Sequence, residues 1–255
     1  MVDLDGIHRR QRDRWSVDDP QAHGRAVRAM FCRISGVYDR MNHLLSLNHD
    51  RRWRGNLVRR LDDDQGRLLD LCAGTADLAL ACYRAGKGRE LIAADFCPEM
   101  LRTGRRKPAA ERLHLLAADG LDLPLAAASI NAVVVGFGVR NFGDVRRGLT
   151  EITRVLRPSG QLAVLDFFRN DRTDQLEHRG ASPALHWLLS GAIPLIGRIV
   201  GGDGAAYSYL PGSMSAFLSV TEFVDLLVEF GYTDVYVERQ TYGIAHIVGG
   251  RRSHS

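Results

Sequence analysis

Apolar positions between residues 25 and 61 recur at spacings of three and four: Phe31, Ile34, Val37 and Tyr38, then Met41, Leu44 and Leu45, then Trp53, Leu57, Val58 and Leu61. That period predicts helix. After Asp62-Asp63-Asp64-Gln65-Gly66 the pattern changes to short apolar runs alternating with helical stretches. Residues 68–72 read as a buried strand, and 91–94, 113–117, 130–136 and 161–167 as four more strands. Residues 77–85 read as a helix, Pro98 as the first-turn proline of another, and 145–156 as a third, stopped by Pro158 and Gly160. A last helix near 221–230 leads into 232–240 and 243–248, a terminal pair of strands. Strands alternating with helices predict βαβ units and an α/β, Rossmann-like, mostly parallel sheet with helices on both faces, here behind a helical N-terminal cap. One domain is expected over 25–250, with the cap at 25–61, a lid-like insertion at 170–218, and tails at 1–24 and 251–255.

In such a sheet, ligands bind outside the carboxyl ends of the strands, at the switch point. The first strand runs into Asp70-Leu71-Cys72-Ala73-Gly74-Thr75-Ala76-Asp77. A dinucleotide site wants GxGxxG so that backbone can approach a pyrophosphate, and this loop offers only Gly74. A single glycine flanked by acids suits a cationic ligand without phosphates, and S-adenosylmethionine is one. Asp95 ends the second strand, 21 residues beyond Gly74, where a carboxylate can accept from both ribose hydroxyls. Asp119 follows the third strand and can accept from the adenine amine; Gly136-Phe137-Gly138 ends the fourth and leaves room for the methionine end. Asp70 or Asp77 alone could instead cap a helix.

Composition narrows the setting. The chain has 255 residues with 45% hydrophobic and 25% charged, which argues for a globular fold and against disorder. No run of 18 apolar residues is present, so a spanning helix is not expected. The N-terminus carries arginines without an apolar core, so no secretory signal is expected and a cytoplasmic setting is. Cys32, Cys72, Cys82 and Cys97 are scattered, which predicts neither a structural metal site nor a disulfide framework. The net charge of +4 is carried by dispersed arginines, since Lys87 and Lys107 are the only lysines. It reads first as compositional bias, second as affinity for a lipid surface, and does not predict nucleic-acid binding.

Several segments together resemble the ubiquinone/menaquinone biosynthesis C-methyltransferase family over roughly residues 28–250. They are Tyr38-Asp39-Arg40-Met41-Asn42…Ser46…Trp53, the cofactor loop, Gly136-Phe137-Gly138-Val139-Arg140-Asn141, Arg154-Val155-Leu156-Arg157-Pro158, and Ala206-Tyr207-Ser208-Tyr209-Leu210-Pro211. The resemblance implies a class I methyltransferase with a seven-stranded sheet. It places Thr75, Asp95, Asp119, Gly120 and Gly136 at S-adenosylmethionine, beside the Asp70 and Gly74 of the loop. The form of the loop leans towards demethylmenaquinone enzymes. Three positions depart from the family pattern: its histidine three residues before the tryptophan is Asp50 here, with His49 one place earlier, its YRYL arginine is Ser208, and its PES after YRYL is Pro211-Gly212-Ser213.

The implied reaction is C-methylation of a prenylated hydroquinone, demethylmenaquinol to menaquinol, with no metal. A ring carbon becomes nucleophilic once a phenolic proton leaves, and the ordinary phenol pKa is about 10, so the site must stabilise a phenolate or supply a base. Arg140 is the expected catalytic stabiliser, since a guanidinium stays charged; a surface pair with Asp144 is the alternative. Tyr38, Asn42, His49, Asn141, Tyr207 and Tyr209 are the expected substrate wall, though core packing would also explain the tyrosines. His49 and Asp50 are candidate bases, and Asp50 reads more readily as a cap of the helix that follows. The apolar stretch 184–200 could hold a prenyl tail or rest on a bilayer, or simply pack on the sheet. A second copy of the chain, as a homodimer, is a further expected partner. Rival functions are methylation of a benzoquinol or another aromatic, a catalytically silent scaffold, and an NAD-dependent oxidoreductase, which the missing glycines disfavour.

Overall fold

Five parallel strands are laid down in order along the chain: β1 (Arg67–Leu71), β2 (Glu90–Asp95), β3 (Leu113–Ala117), β4 (Ile130–Gly136) and β5 (Leu156–Asp166). Two more, β6 (Tyr232–Gln240) and β7 (Ala245–Arg252), close one edge, giving the order β3-β2-β1-β4-β5-β7-β6 with β7 antiparallel to β5 and β6. The computed structural model describes residues 20–63, 66–169, 213–214 and 216–254. Most of the 170–218 insertion, including Tyr207, Tyr209 and the apolar stretch 184–200, lies outside the described residues, as does most of the N-terminal tail.

The central strands are apolar on both faces because helices cover both. Alternate residues along each strand serve different cores. Leu69, Leu71, Val133, Val135, Leu162 and Val164 face α6 (Val145–Val155) and α7 (Val220–Glu229), where Leu149, Ile152 and Phe223 are fully buried. Leu68, Val134, Ala163 and Leu165 face the other way, onto α3 (His49–Arg60) and α4 (Asp77–Arg84). Asp144 caps α6 by accepting from Arg147 N–H, and Ser219 with Glu222 forms a capping box on α7. The cap is completed by α1 (Pro20–Ile34), which packs on α5 (Pro98–Gly104), and by α2 (Tyr38–Leu45).

Four expectations need correction. The helix before Pro158 ends at Val155, and β5 begins at once: Leu156 pairs with Ile130, the next paired residue is Gln161, and 157–160 form a bulge. The proline and glycine therefore punctuate a bulged strand, where an unpaired stretch tolerates both. The domain runs past residue 250, because Arg251 and Arg252 pair with Gln161 and Tyr232. At the other end, residues 20–24 belong to α1 and not to a tail. Finally, Cys32 of α1 and Cys97 just before α5 are joined as a disulfide, with Cα atoms 5.9 Å apart. Packing of α1 on α5 brings together two cysteines 65 positions apart.

Close packing fixes the loop after β1. A Cβ on Gly104 of α5 would stand 2.7 Å from the carbonyl oxygen of Thr75. Gly104→Ala is expected to lose about 1–3 kcal/mol through backbone displacement. Thermal unfolding should register this as a fall of roughly 2–8 °C; an unchanged midpoint would contradict the packing.

Candidate active site

A cavity of about 600 Å³ opens at the carboxyl ends of β1 to β4, centred on the β1/β4 switch point. Its floor is made where two strands end in left-handed residues: Cys72 (φ 58°) after β1 and Phe137 (φ 61°) after β4. Non-glycine residues in that region carry strain that the packed surroundings must hold. Gly74 (φ 56°) follows in the same loop, with Tyr38 of α2 over it at 3.6 Å from its would-be Cβ.

Asp95 is the anchored acid. It is 5% exposed, Oδ2 accepts from Gly74 N–H and Oδ1 from Cys97 N–H, both at 2.8 Å. Burial pushes its carboxyl above the ordinary range, and the two amides oppose that shift. Each oxygen retains a lone pair for a ligand hydroxyl. Asp119 stands exposed at the cavity edge, with Oδ1 accepting from Leu121 N–H at 2.9 Å. Gly74, Gly120 and Gly136 also line the cavity. Asp95, Asp119, Gly74 and Gly136 thus share one cavity, the first with a buried carboxylate and the second with an exposed one. Among the described residues no amide cradle for a pyrophosphate accompanies it.

Asp70 and Thr75 stand elsewhere. Asp70 is 1% exposed beneath the loop, where Oδ2 accepts from Ala79 N–H at 2.8 Å and so caps α4 from nine residues away. Burial lifts its carboxyl to about 7, with the Ala79 bond and the Arg54 charge opposing. Thr75 is also buried; its hydroxyl donates to Asp39 of α2 and accepts from Lys107 Nζ at 2.8 Å. Lys107 further pairs with Asp39 at 2.7 Å and with Asp77, tying the cap to the loop. Lys107, one of only two lysines, stands 30 or more positions from these partners and carries no local signal of the role.

Among the expected substrate residues, Tyr38 and Asn141 line the cavity. Burial pushes the Tyr38 phenol up, against an opposing bond to Asn42 and the charge of Arg140. Asn42 thus holds Tyr38 instead of lining the cavity itself. His49 stacks on Trp53, with ring centroids 6.0 Å apart. Asp50 is neither the expected cap nor a free base. Ser46 Oγ takes the Asp50 N–H, and the buried carboxylate bonds Arg54, Ser46 and His43. Burial would raise its pKa, but Arg54, Ser46 and His43 outweigh that and hold it low.

Arg140 sits in a short helical turn (Val139–Asn141) behind the cavity wall. Its partner is not Asp144 but Asp166 at the end of β5: Nη1 donates to Asp166 Oδ1 and to Phe137 O, each at 2.7 Å. The pair is buried, and Asp166 is fully enclosed. Among the described residues Arg140 Nε is buried with no partner, a donor left over for an acceptor oxygen. Asp166, 26 positions on, carries no local signal of this role.

The fold is shared with solved methyltransferases. A putative methyltransferase solved with the Haloferax volcanii Trm112 activator superposes with TM-score 0.61 at 15% identity, covering 88% of this chain and 98% of that one. The fold is that of the class I methyltransferases. The ubiE/COQ5 methyltransferase family model matches residues 19–252, and the chain belongs to that family. It is 37% identical over 227 residues to the demethylmenaquinone methyltransferase of Thermus thermophilus, spanning 88% of this chain and all of that protein. It is equally similar, 37% over 241 residues, to a ubiquinone/menaquinone biosynthesis C-methyltransferase of Syntrophotalea carbinolica, covering 90% of this chain and 95% of the other.

Asp70 makes stability depend on pH. Its folded pKa of about 7 lies above the unfolded value, so the native state keeps a proton the unfolded chain has lost. Stability is therefore expected to decline from about pH 4 to about pH 7, by up to about 4 kcal/mol. Asp70→Asn should flatten that slope in urea titrations across this window; an identical slope would contradict the assignment.

Proposed function

We propose that this enzyme methylates a ring carbon of a prenylated naphthohydroquinone, converting demethylmenaquinol to menaquinol. The observation that carries the reading is the buried Arg140–Asp166 pair with its unpartnered Nε, beside a cavity fitted to a nucleoside. Relatives named demethylmenaquinone methyltransferase support the choice of ring.

S-adenosylmethionine supplies an electrophilic methyl on a sulfonium. The chain's own work is to hold the acceptor carbon in line with it and to raise that carbon's electron density. Arg140 does the second: its guanidinium stabilises the phenolate that forms when the adjacent hydroxyl loses its proton. Being permanently charged, it cannot take the proton itself. Asp166 and Phe137 O fix the guanidinium through Nη1, which leaves Nε as its spare donor. The acceptor must be the reduced quinol, because a quinone has no phenolic proton to lose. The prenyl tail supports a cytoplasmic enzyme working peripherally at the inner face of the membrane. Among the described residues no helix is long and apolar enough to cross one. A benzoquinol is the second reading, supported by relatives whose name covers both quinones.

Labelled S-adenosylmethionine with reduced naphthoquinol or benzoquinol tests the ring. Label is expected on the naphthoquinol carbon; transfer only to benzoquinol would replace the reading. Arg140→Ala is expected to lose about 100-fold or more in kcat, and Asp166→Asn about 10-fold, while both bind S-adenosylmethionine in calorimetry as the wild type does. Near-normal turnover by Arg140→Ala would remove its assigned role.

A further inference from the structure

The cysteine pair joins the two walls between which the cavity lies. On one side α1 contributes Gly24, Arg25, Arg28 and Phe31, and Cys32 follows directly. On the other, the end of β2 contributes Asp95, the turn after it Phe96 and the start of α5 Pro98, and Cys97 lies between the last two. The Cα atoms stand 5.9 Å apart, within the range a disulfide spans without backbone movement. Cys97 is also the residue whose N–H holds Asp95 Oδ1. A bond made or broken here therefore acts on the cap and on the ribose-binding acid together.

We infer that Cys32 and Cys97 form a reversible thiol–disulfide site that clamps the cofactor cavity, and that its reactant is a low-molecular-weight disulfide. The inference rests on the assignment of this cavity to S-adenosylmethionine. Cys97 is fully buried and Cys32 half-buried, so exchange starts at Cys32. Glu99 Oε2 lies 3.1 Å from Cys32 Sγ and 3.4 Å from Cys97 Sγ, placed to accept the proton of either thiol in the open state. The Cys32 thiolate attacks the small disulfide, expelling one thiolate and leaving a mixed disulfide. The Cys97 thiolate then attacks the Cys32 sulfur and expels the second. Two protein thiols are oxidised, one disulfide is reduced to two thiols, and excess thiol reverses both steps. The remaining cysteines do not compete: Cys82 is buried, and burial with the nearby acids holds the Cys72 thiol protonated. With the bond closed, α1 cannot lift from the turn, and the cofactor is retained.

The test equilibrates the full-length protein in glutathione buffers from fully reduced to fully oxidised. Alkylation with mass spectrometry counts free thiols, and release of radiolabelled S-adenosylmethionine is timed in the same samples. Expected are the loss of two thiols, mapped to Cys32 and Cys97, and release at least about 10-fold slower in the oxidised protein, restored by dithiothreitol. Cys32→Ser should release at the fast rate in every buffer; if it fails to fold, wild type alkylated at Cys32 while reduced serves the same purpose. Four free thiols throughout, or a disulfide that leaves release unchanged, would overturn the clamp. A reduced wild type that binds no S-adenosylmethionine in calorimetry would instead overturn the cavity assignment, and the clamp with it.

Discussion

A carboxylate kept ionisable inside the protein is the constraint around which this site is built. Asp95 is nearly enclosed, and an unpaired charge there would be costly. Two backbone amides, one from the loop after β1 and one from the turn after β2, make it tolerable. Both amides are in place only if Gly74 adopts its left-handed conformation and α5 starts where it does. The acid thus ties the shapes of two strand ends to each other. It also explains a glycine-poor loop: the backbone is spent on holding a side chain, not on cradling phosphate.

The cap is bound to that frame by charge. Lys107 gathers Asp39 of α2 and Asp77 of α4, and Arg54 of α3 gathers Asp50 and approaches Asp77 at 3.9 Å. The Arg54–Asp50 pair is buried, so removing either member leaves a buried charge unpaired, which is more damaging than the pair is stabilising. Tyr38 depends on the same arrangement, since α2 carries both it and Asp39. Helix α2 and the loop after β1 are therefore one electrostatic unit. The aromatic group of Trp53, Phe137 and Phe167 continues it beneath Arg140, whose guanidinium lies 5.5 Å from the Phe167 ring centroid.

Much of this was legible in the chain and some of it could not have been. Strands 113–117 and 130–136 coincide with observed β3 and β4; the apolar run of β4 suits a strand inside the sheet, whereas β3, at the edge, keeps His114 exposed. Asp95 was legible because a strand end fixes where an acid stands. Asp70 and Thr75 sit in the same loop, yet their side chains turn back into the protein, and spacing along a chain does not reveal that. Asp166, Lys107 and the Cys32–Cys97 bond are long-range pairings that only the packed fold brings together. Pro158 and Gly160 misled because the signals that end a helix also mark a bulge.

The role of the anchored acid can be measured directly by titrating S-adenosylmethionine into wild type and Asp95→Asn by calorimetry, with circular dichroism to show that both are folded. The amide turns one hydrogen-bond acceptor into a donor facing groups that themselves donate. Loss of about 2–3 kcal/mol, a weakening of roughly 30- to 150-fold, is the expected result. Equal affinity for the two proteins would contradict the account.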